Sequence, residues 1–177
     1  MRVIAGSLKG RQFNSPGGHR THPMSEKMRG AMFGVLGDIV GLTVLDAFAG
    51  SGALSFEALS RGAKKALLLD NDKTAQDTIE ENITKLGLTD QSRFIKANAL
   101  SWSAKNNGQT FDLLLIDPPY DRLPFPVIER LARHLAPTGV YVLSWPSQYE
   151  HPRLPGLEVV SNKLYGDAQL VFYRHIQ

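Results

Sequence analysis

Residues 43–52 read Thr-Val-Leu-Asp-Ala-Phe-Ala-Gly-Ser-Gly, an apolar run that closes on an aspartate and then on two glycines one residue apart. The run predicts a strand over 43–48, a tight turn, and a helix over 53–61 that Gly62 stops. Strands that alternate with helices imply a parallel sheet, whose neighbours are joined by crossover connections. The pattern then repeats. Residues 66–69 predict a strand ending at Asp70. Asp72 is placed to cap a helix whose Ala75, Ile79, Ile83 and Leu86 share one face before Gly87. Residues 93–96, 111–116 and 140–143 predict strands, and 125–135 a helix. The stretch 111–116 is almost wholly apolar, as expected of a strand covered on both faces. At the end, 157–164 and 169–173 are strand-like runs joined by Tyr165-Gly166-Asp167 with no helix between them, which predicts an antiparallel hairpin at the sheet edge. The fold class expected is α/β, a mostly parallel sheet with helices on both faces.

Residues 1–38 stand apart from this alternation and are expected to be an appendage on the domain formed by 39–177. Residues 3–5 and 12–13 predict a short hairpin, 15–18 a loop, and Ser25 an N-cap for a helix carrying Met28, Met32, Val35 and Leu36 up to Gly37. The whole chain carries a net charge of only +3. Residues 1–30 hold six cations (Arg2, Lys9, Arg11, Arg20, Lys27, Arg29) against Glu26, a local charge of +5. A basic arm on a near-neutral body is the footprint of a phosphate-bearing partner. With no cysteine among 177 residues, disulfides and thiolate metal sites are excluded. Histidines 19, 22, 134, 151 and 175 lack ligand spacing, so no metal is expected. No membrane-length apolar stretch and no secretory leader stand out. The expectation is a cytoplasmic protein, a monomer, with no membrane partner.

The glycine loop carries the first chemistry. Glycines let a ligand approach the backbone, and the helix N-terminus behind them favours a negative group such as a carboxylate. Asp46 lies at the carboxyl edge of the sheet, where open α/β sheets bind ligands, and is suited to accept from an ammonium group. A dinucleotide fingerprint needs Gly or Ala in third place, where this loop, Gly50-Ser51-Gly52-Ala53-Leu54-Ser55, has Ser55. An amino-acid-bearing nucleoside fits better. Asp70 follows Gly50 by twenty residues and is suited to hold two ribose hydroxyls. Asn98 and Ala99, after the third strand, are suited to meet an adenine ring.

The second motif is Asp117-Pro118-Pro119-Tyr120, directly after the apolar strand and on the same sheet edge. Two prolines fix the backbone and remove two N–H donors. What remains is an acceptor-rich corner, the Asp117 carboxylate and the Pro118 carbonyl. An exocyclic base amine is a poor nucleophile because its lone pair is delocalised. Two acceptors gripping its hydrogens turn that lone pair outward, and positioning of this kind lowers a barrier by several kcal/mol. Tyr120 offers a face on which a planar base stacks.

These motifs sit in a sequence that resembles, nearly end to end, the small-subunit ribosomal RNA guanine-N2 methyltransferases of RsmD type. The opening Met1-Arg2-Val3-Ile4-Ala5-Gly6-Ser7-Leu8-Lys9-Gly10-Arg11, the segments Thr21-His22-Pro23 and Met28-Arg29-Gly30-Ala31-Met32-Phe33, the core Ala49-Gly50-Ser51-Gly52-Ala53-Leu54 with Glu57-Ala58-Leu59-Ser60-Arg61-Gly62-Ala63, and the turn Tyr165-Gly166-Asp167 carry the likeness. It implies a Rossmann-like class I S-adenosylmethionine-dependent methyltransferase fold with a seven-stranded sheet. It also implies S-adenosylmethionine as cofactor, and as substrate the N2 amine of a guanine in 16S ribosomal RNA, of the guanine-966 type, in free RNA or the assembled small subunit. By position, Asp46, Phe48, Gly50, Ser51, Gly52, Asp70, Asn71, Asn98 and Ala99 take cofactor roles and Asp117, Pro118, Pro119 and Tyr120 catalytic ones. Lys9, Arg11, Arg20, His22 and Arg29 read as RNA contacts. The family usually has Arg where this chain has His22, and Asp where it has Asn98, which implies a weaker phosphate contact and weaker cofactor binding. Ser144-Trp145 replaces a more acidic pair. Residue chemistry alone leaves three alternatives open: an adenine N6 acceptor, a protein glutamine amide, or a non-catalytic RNA-binding or assembly protein.

Overall fold

The protein is described here from a computed structural model covering residues 1–17 and 23–177. Seven strands form one sheet in the order β3-β2-β1-β4-β5-β7-β6. They are β1 (Thr43–Asp46), β2 (Lys65–Asp70), β3 (Ser92–Lys96), β4 (Phe111–Ile116), β5 (Leu135–Pro146), β6 (Leu157–Tyr165) and β7 (Ala168–His175). The first five are mutually parallel; β7 runs antiparallel to both β5 and β6. The chain starts in the middle of the sheet at β1, works outward to β3, then returns to lay β4 on β1's other side. That reversal leaves the carboxyl ends of β1 and β4 adjacent, the switch point where such sheets take ligands.

Side chains alternate between the two faces, as the pleat requires. Val44, Leu68, Leu113 and Val142 join one apolar cluster with Met32, Phe33, Phe56 and Ile79 from the helices α1 (Glu26–Leu36), α2 (Ala53–Ser60) and α3 (Lys73–Leu86). Leu45, Leu69, Leu114 and Leu143 join the other, beneath α4 (Ala99–Lys105) and α5 (Phe125–Leu131). Helix α1 starts as expected: the Ser25 hydroxyl accepts from the Met28 N–H at 3.1 Å.

The structure revises several sequence expectations. Helix α4 was unanticipated. Helix α5 is shorter than 125–135: a 3-10 turn covers Ala132–His134, and Leu135 is already extended. Pro137 disfavours a helical Ala136, so β5 begins at Leu135 and runs twelve residues rather than over 140–143. The N-terminal hairpin pairs one step earlier than expected. Arg2 bridges Gln12, and Phe13 N–H donates to Met1 O, because the N–H groups of Ile4 and Ala5 donate instead to the Glu57 carboxylate, at 2.8 and 3.1 Å.

This contact docks the first segment onto α2, whose eight residues are all buried. Val3 and Phe13 enter the same core as Phe56. A side chain at Gly6 would stand 1.9 Å from the Ser60 carbonyl, so the close approach requires glycine. Arg29 is drawn into the same joint. It is 0% exposed, lies 3.6 Å from Glu57 and donates to Arg2 O at 2.6 Å. The expectation that Arg29 reaches an RNA phosphate is therefore corrected: its charge is spent internally on Glu57.

Candidate active site

At the carboxyl edge of the sheet the structure opens a cleft of about 1380 Å³. That exceeds the ~300–1,000 Å³ of a single small-ligand site and leaves room for two ligands side by side. Its walls bring together the two sequence motifs: Phe48, Gly50 and Ser51 from the glycine loop, Asp70 and Asn71 after β2, Asn98 and Ala99 after β3, and Asp117, Pro118, Pro119 and Tyr120 after β4.

The glycine loop is built around Gly52, which caps α2 at φ 82. A side chain there would meet the Phe56 ring at 2.4 Å, so the position excludes one on both conformation and space. Asp70 closes the loop from the neighbouring strand. Its Oδ2 accepts from the Gly50 N–H at 2.9 Å and its Oδ1 from the Asp72 N–H at 2.9 Å. A carboxylate has about four acceptor sites, so two remain for a ligand's hydroxyls.

Asp46 and Gly52 do not line the cleft. Asp46 is 1% exposed, behind Ala47 and Phe48, with Oδ2 accepting from the Ser55 hydroxyl at 2.8 Å. Its Oδ1 is buried with no hydrogen-bond partner. Burial pushes its carboxyl up to about 7; the Ser55 hydroxyl opposes the rise, and the charges of Asp117 and Asp70 add to it. Asn98 faces the cleft, but its Oδ1 accepts from the N–H groups of Leu100 and Ser101, at 2.9 and 3.2 Å, and so caps α4.

Two observations fit a nucleoside bearing an ammonium group. One is the unsatisfied carboxylate oxygen of Asp46. The other is the open space where a side chain at Gly50 would stand. Asp70, Asn71, Asn98 and the glycine loop are the residues that would hold such a group.

On the opposite wall, Asp117 is half-buried. Burial pushes its carboxyl up to about 6, and the Ser144 hydroxyl beside it works against the rise. Tyr120 is 36% exposed, with its hydroxyl turned inward to lie 2.7 Å from Ser144 Oγ. Ser144 and Trp145 face opposite sides of the sheet. Ser144 reaches the cleft, while Trp145 is 0% exposed, packs edge-on to Phe125 at 5.0 Å and donates to Glu150 O.

Sequence reasoning missed Ser144, Lys27, Arg122 and Asp167, all of which line the cleft. Their signal is tertiary: α1, the loop after β4 and the β6–β7 turn meet only in the folded chain. Of the expected RNA contacts, Lys9 is exposed. Arg11 is exposed too, but donates to Leu86 O and Lys85 O at the end of α3. Arg20 and His22 lie outside the described residues. Among the described residues no group of histidine, aspartate and glutamate is arranged to hold a metal, and no helix is long and apolar enough to cross a membrane.

The strand order, the terminal hairpin and a cleft walled by a glycine loop and an Asp-Pro-Pro-Tyr corner define the Rossmann-like class I methyltransferase fold. The chain belongs to the family described as conserved hypothetical protein 95, whose model matches residues 1–174, and is of RsmD type. It is 32% identical to YlbH of Bacillus subtilis, which carries a provisional rRNA-methyltransferase name, over 98% of each chain. It is 34% identical to ribosomal RNA small subunit methyltransferase D of Escherichia coli strain K12, over 69% of this chain and 61% of that one. Among solved structures, the Escherichia coli protein yhhF, provisionally described as a methyltransferase, superposes with a TM-score of 0.88 at 29% identity, covering 99% of this chain and 97% of that one.

Proposed function

We propose that this protein transfers a methyl group from S-adenosylmethionine to the exocyclic N2 amine of a guanine in small-subunit ribosomal RNA, at a site of the guanine-966 type. The observation that carries the reading is a single cleft with a cofactor-suited glycine wall on one side and an acceptor-rich corner on the other. The names of the relatives support ribosomal RNA as the substrate, and that of the Escherichia coli relative supports the small subunit.

When bound, S-adenosylmethionine supplies an electrophilic methyl group on a sulfonium centre. The chain's own residues do the rest. The Asp117 carboxylate and the Pro118 carbonyl accept the two hydrogens of the amine and so direct its lone pair across the cleft. Tyr120 stacks on the base and fixes its plane. Pro118 and Pro119 hold the corner rigid, so that little reorganisation is needed when a base arrives. Asp46 stays behind the glycine loop, where its carboxylate accepts from the Ser55 hydroxyl. Lys27 and Arg122, exposed at the cleft, face the RNA phosphates that flank the inserted base.

The test is methyl transfer from labelled S-adenosylmethionine to undermethylated small subunits and to the free RNA, followed by nucleoside analysis. Label in N2-methylguanosine is the expected result. Label in N6-methyladenosine or in protein keeps the chemistry and overturns the substrate. No label, from protein that binds the cofactor, overturns the proposal.

A further inference from the structure

The strand register sets Ser144 opposite Asp117. β4 and β5 run parallel with Ile116 across from Leu143, so one residue further on Asp117 and Ser144 are neighbours at the sheet's carboxyl edge. Leu143 and Trp145 turn into the core on one face. Ser144, between them, turns the other way; it is 1% exposed yet contributes to the cleft wall. Its hydroxyl is 2.7 Å from that of Tyr120.

The donor inventories of the three groups favour the direction in which every hydrogen meets an acceptor. A serine hydroxyl has one hydrogen and two lone pairs, a tyrosine hydroxyl one hydrogen, and an ionised carboxylate only accepts. With Tyr120 donating to Ser144, the Ser144 hydrogen is left to turn toward the Asp117 carboxylate that the strand register sets beside it. Resting on the methyl-transfer reading, we propose that Ser144 is a positioning residue. Its hydroxyl ties the Tyr120 ring to the cleft wall and takes up one oxygen of Asp117, leaving the other oxygen for the incoming amine.

The titration of the neighbours agrees with this direction. Tyr120 is pushed up to about 12 by burial, so it keeps its proton and stays a donor at neutral pH. Asp117, at about 6, is an acceptor there, and the Ser144 hydroxyl acts to hold it down. The other charged groups on the cleft wall are Lys27 from α1, Asp70 and Asp72 after β2, Asp121 and Arg122 after β4, and Asp167 from the β6–β7 turn, with Asp46 buried behind the wall. Removing the Ser144 hydroxyl leaves all of these in place, so a change in Asp117 titration reports on that hydroxyl itself.

The experiment compares wild type, Ser144→Ala and Ser144→Thr in the full chain. Three readouts are taken: melting temperature, steady-state methyl transfer across pH, and the Asp117 carboxyl followed by 13C NMR. Ser144→Ala is expected to melt like wild type. Its kcat should fall about tenfold, as loss of one hydrogen bond to a charged acceptor implies. The Asp117 midpoint and the acid limb of the rate profile should move up together, and Ser144→Thr should restore both. Wild-type kcat and an unmoved Asp117 midpoint in Ser144→Ala overturn the proposal. So does a loss of activity with an unmoved midpoint and no rescue by threonine, which marks a packing role. A wild type that transfers no methyl group, with the Asp117 midpoint still raised in Ser144→Ala, keeps the hydrogen-bonded line and removes the methyl-transfer reading.

Discussion

Asp117 terminates an apolar strand, and that position explains both its use and its pH dependence. Four buried residues precede it in β4, so the carboxylate stands at the boundary between core and cleft, where desolvation raises its pKa to about 6. The sign follows. With the folded value above the ordinary one, the ionised acceptor form is present above pH 6 and is lost as pH falls through it. Methyl transfer should show an acid limb with a midpoint near 6, read from kcat/KM between pH 5 and 8. Asp117→Ala should lose about a hundredfold or more in kcat, because the amine loses an orienting acceptor. Equilibrium dialysis should find its cofactor affinity unchanged, since Asp70 and the glycine loop lie on the other wall. Asp117→Asn keeps an acceptor that does not titrate, so its residual rate should be flat where wild type falls. An acid limb persisting in Asp117→Asn would assign the midpoint to another group.

At the level of elements, the joint between the first segment and α2 decides stability. Glu57 is fully buried with two arginines, Arg29 at 3.6 Å and Arg61 at 2.8 Å, and also accepts from two backbone N–H groups. Removing one partner of a buried pair costs about 3–5 kcal/mol, so Glu57→Ala should lower urea-unfolding stability by that order. Replacing Arg29 and Glu57 together with Met and Leu should recover part of the loss, because no buried charge is left alone. Full recovery is not expected, since Ile4 and Ala5 still lose their acceptor. This joint was illegible in the sequence: Arg29 reads as one more cation in a basic arm until its carboxylate, 28 residues on, is placed beside it. The strands, by contrast, were legible, because a strand buried on both faces must be continuously apolar, as 111–116 is. Helix α4 was missed for the opposite reason. Its seven residues offer only Ala99, Leu100, Trp102 and Ala104 as apolar positions, too few to show a period, and Asn98 was weighed as a ligand contact rather than as the cap it is. The two halves of the cleft were readable because each is a contiguous motif; Ser144 was not, since only the pairing of β5 against β4 brings it to Asp117.

For the molecule as a whole, the question is where its modest positive charge meets RNA. Net charge is +3, too little to hold a polyanion by itself, so placement matters more than amount. Burial removes Arg29 from the available set, Arg2 pairs with Glu26 at 3.0 Å, and Arg11 is engaged at the end of α3. What the N-terminal segment still offers among the described residues is Lys9 and Lys27, and the loop after β4 adds Arg122. Lys27 and Arg122 line the cleft itself, where a phosphate must pass if a base is to reach Asp117. Each phosphate contact contributes about 0.7–0.9 to the slope of log affinity against log salt, through released counterions. Lys27→Ala combined with Arg122→Ala should therefore flatten that slope by roughly 1.5 in fluorescence-anisotropy titrations with a small-subunit RNA fragment. Lys9→Ala should flatten it by a further ~0.7–0.9 if the arm lies on the same RNA. Arg11→Ala should change the slope less than Lys9→Ala and lower the melting temperature instead, because its guanidinium caps carbonyls of this chain. A slope unchanged by the Lys27 and Arg122 pair would move the RNA backbone off the cleft, and with it the route by which a base enters.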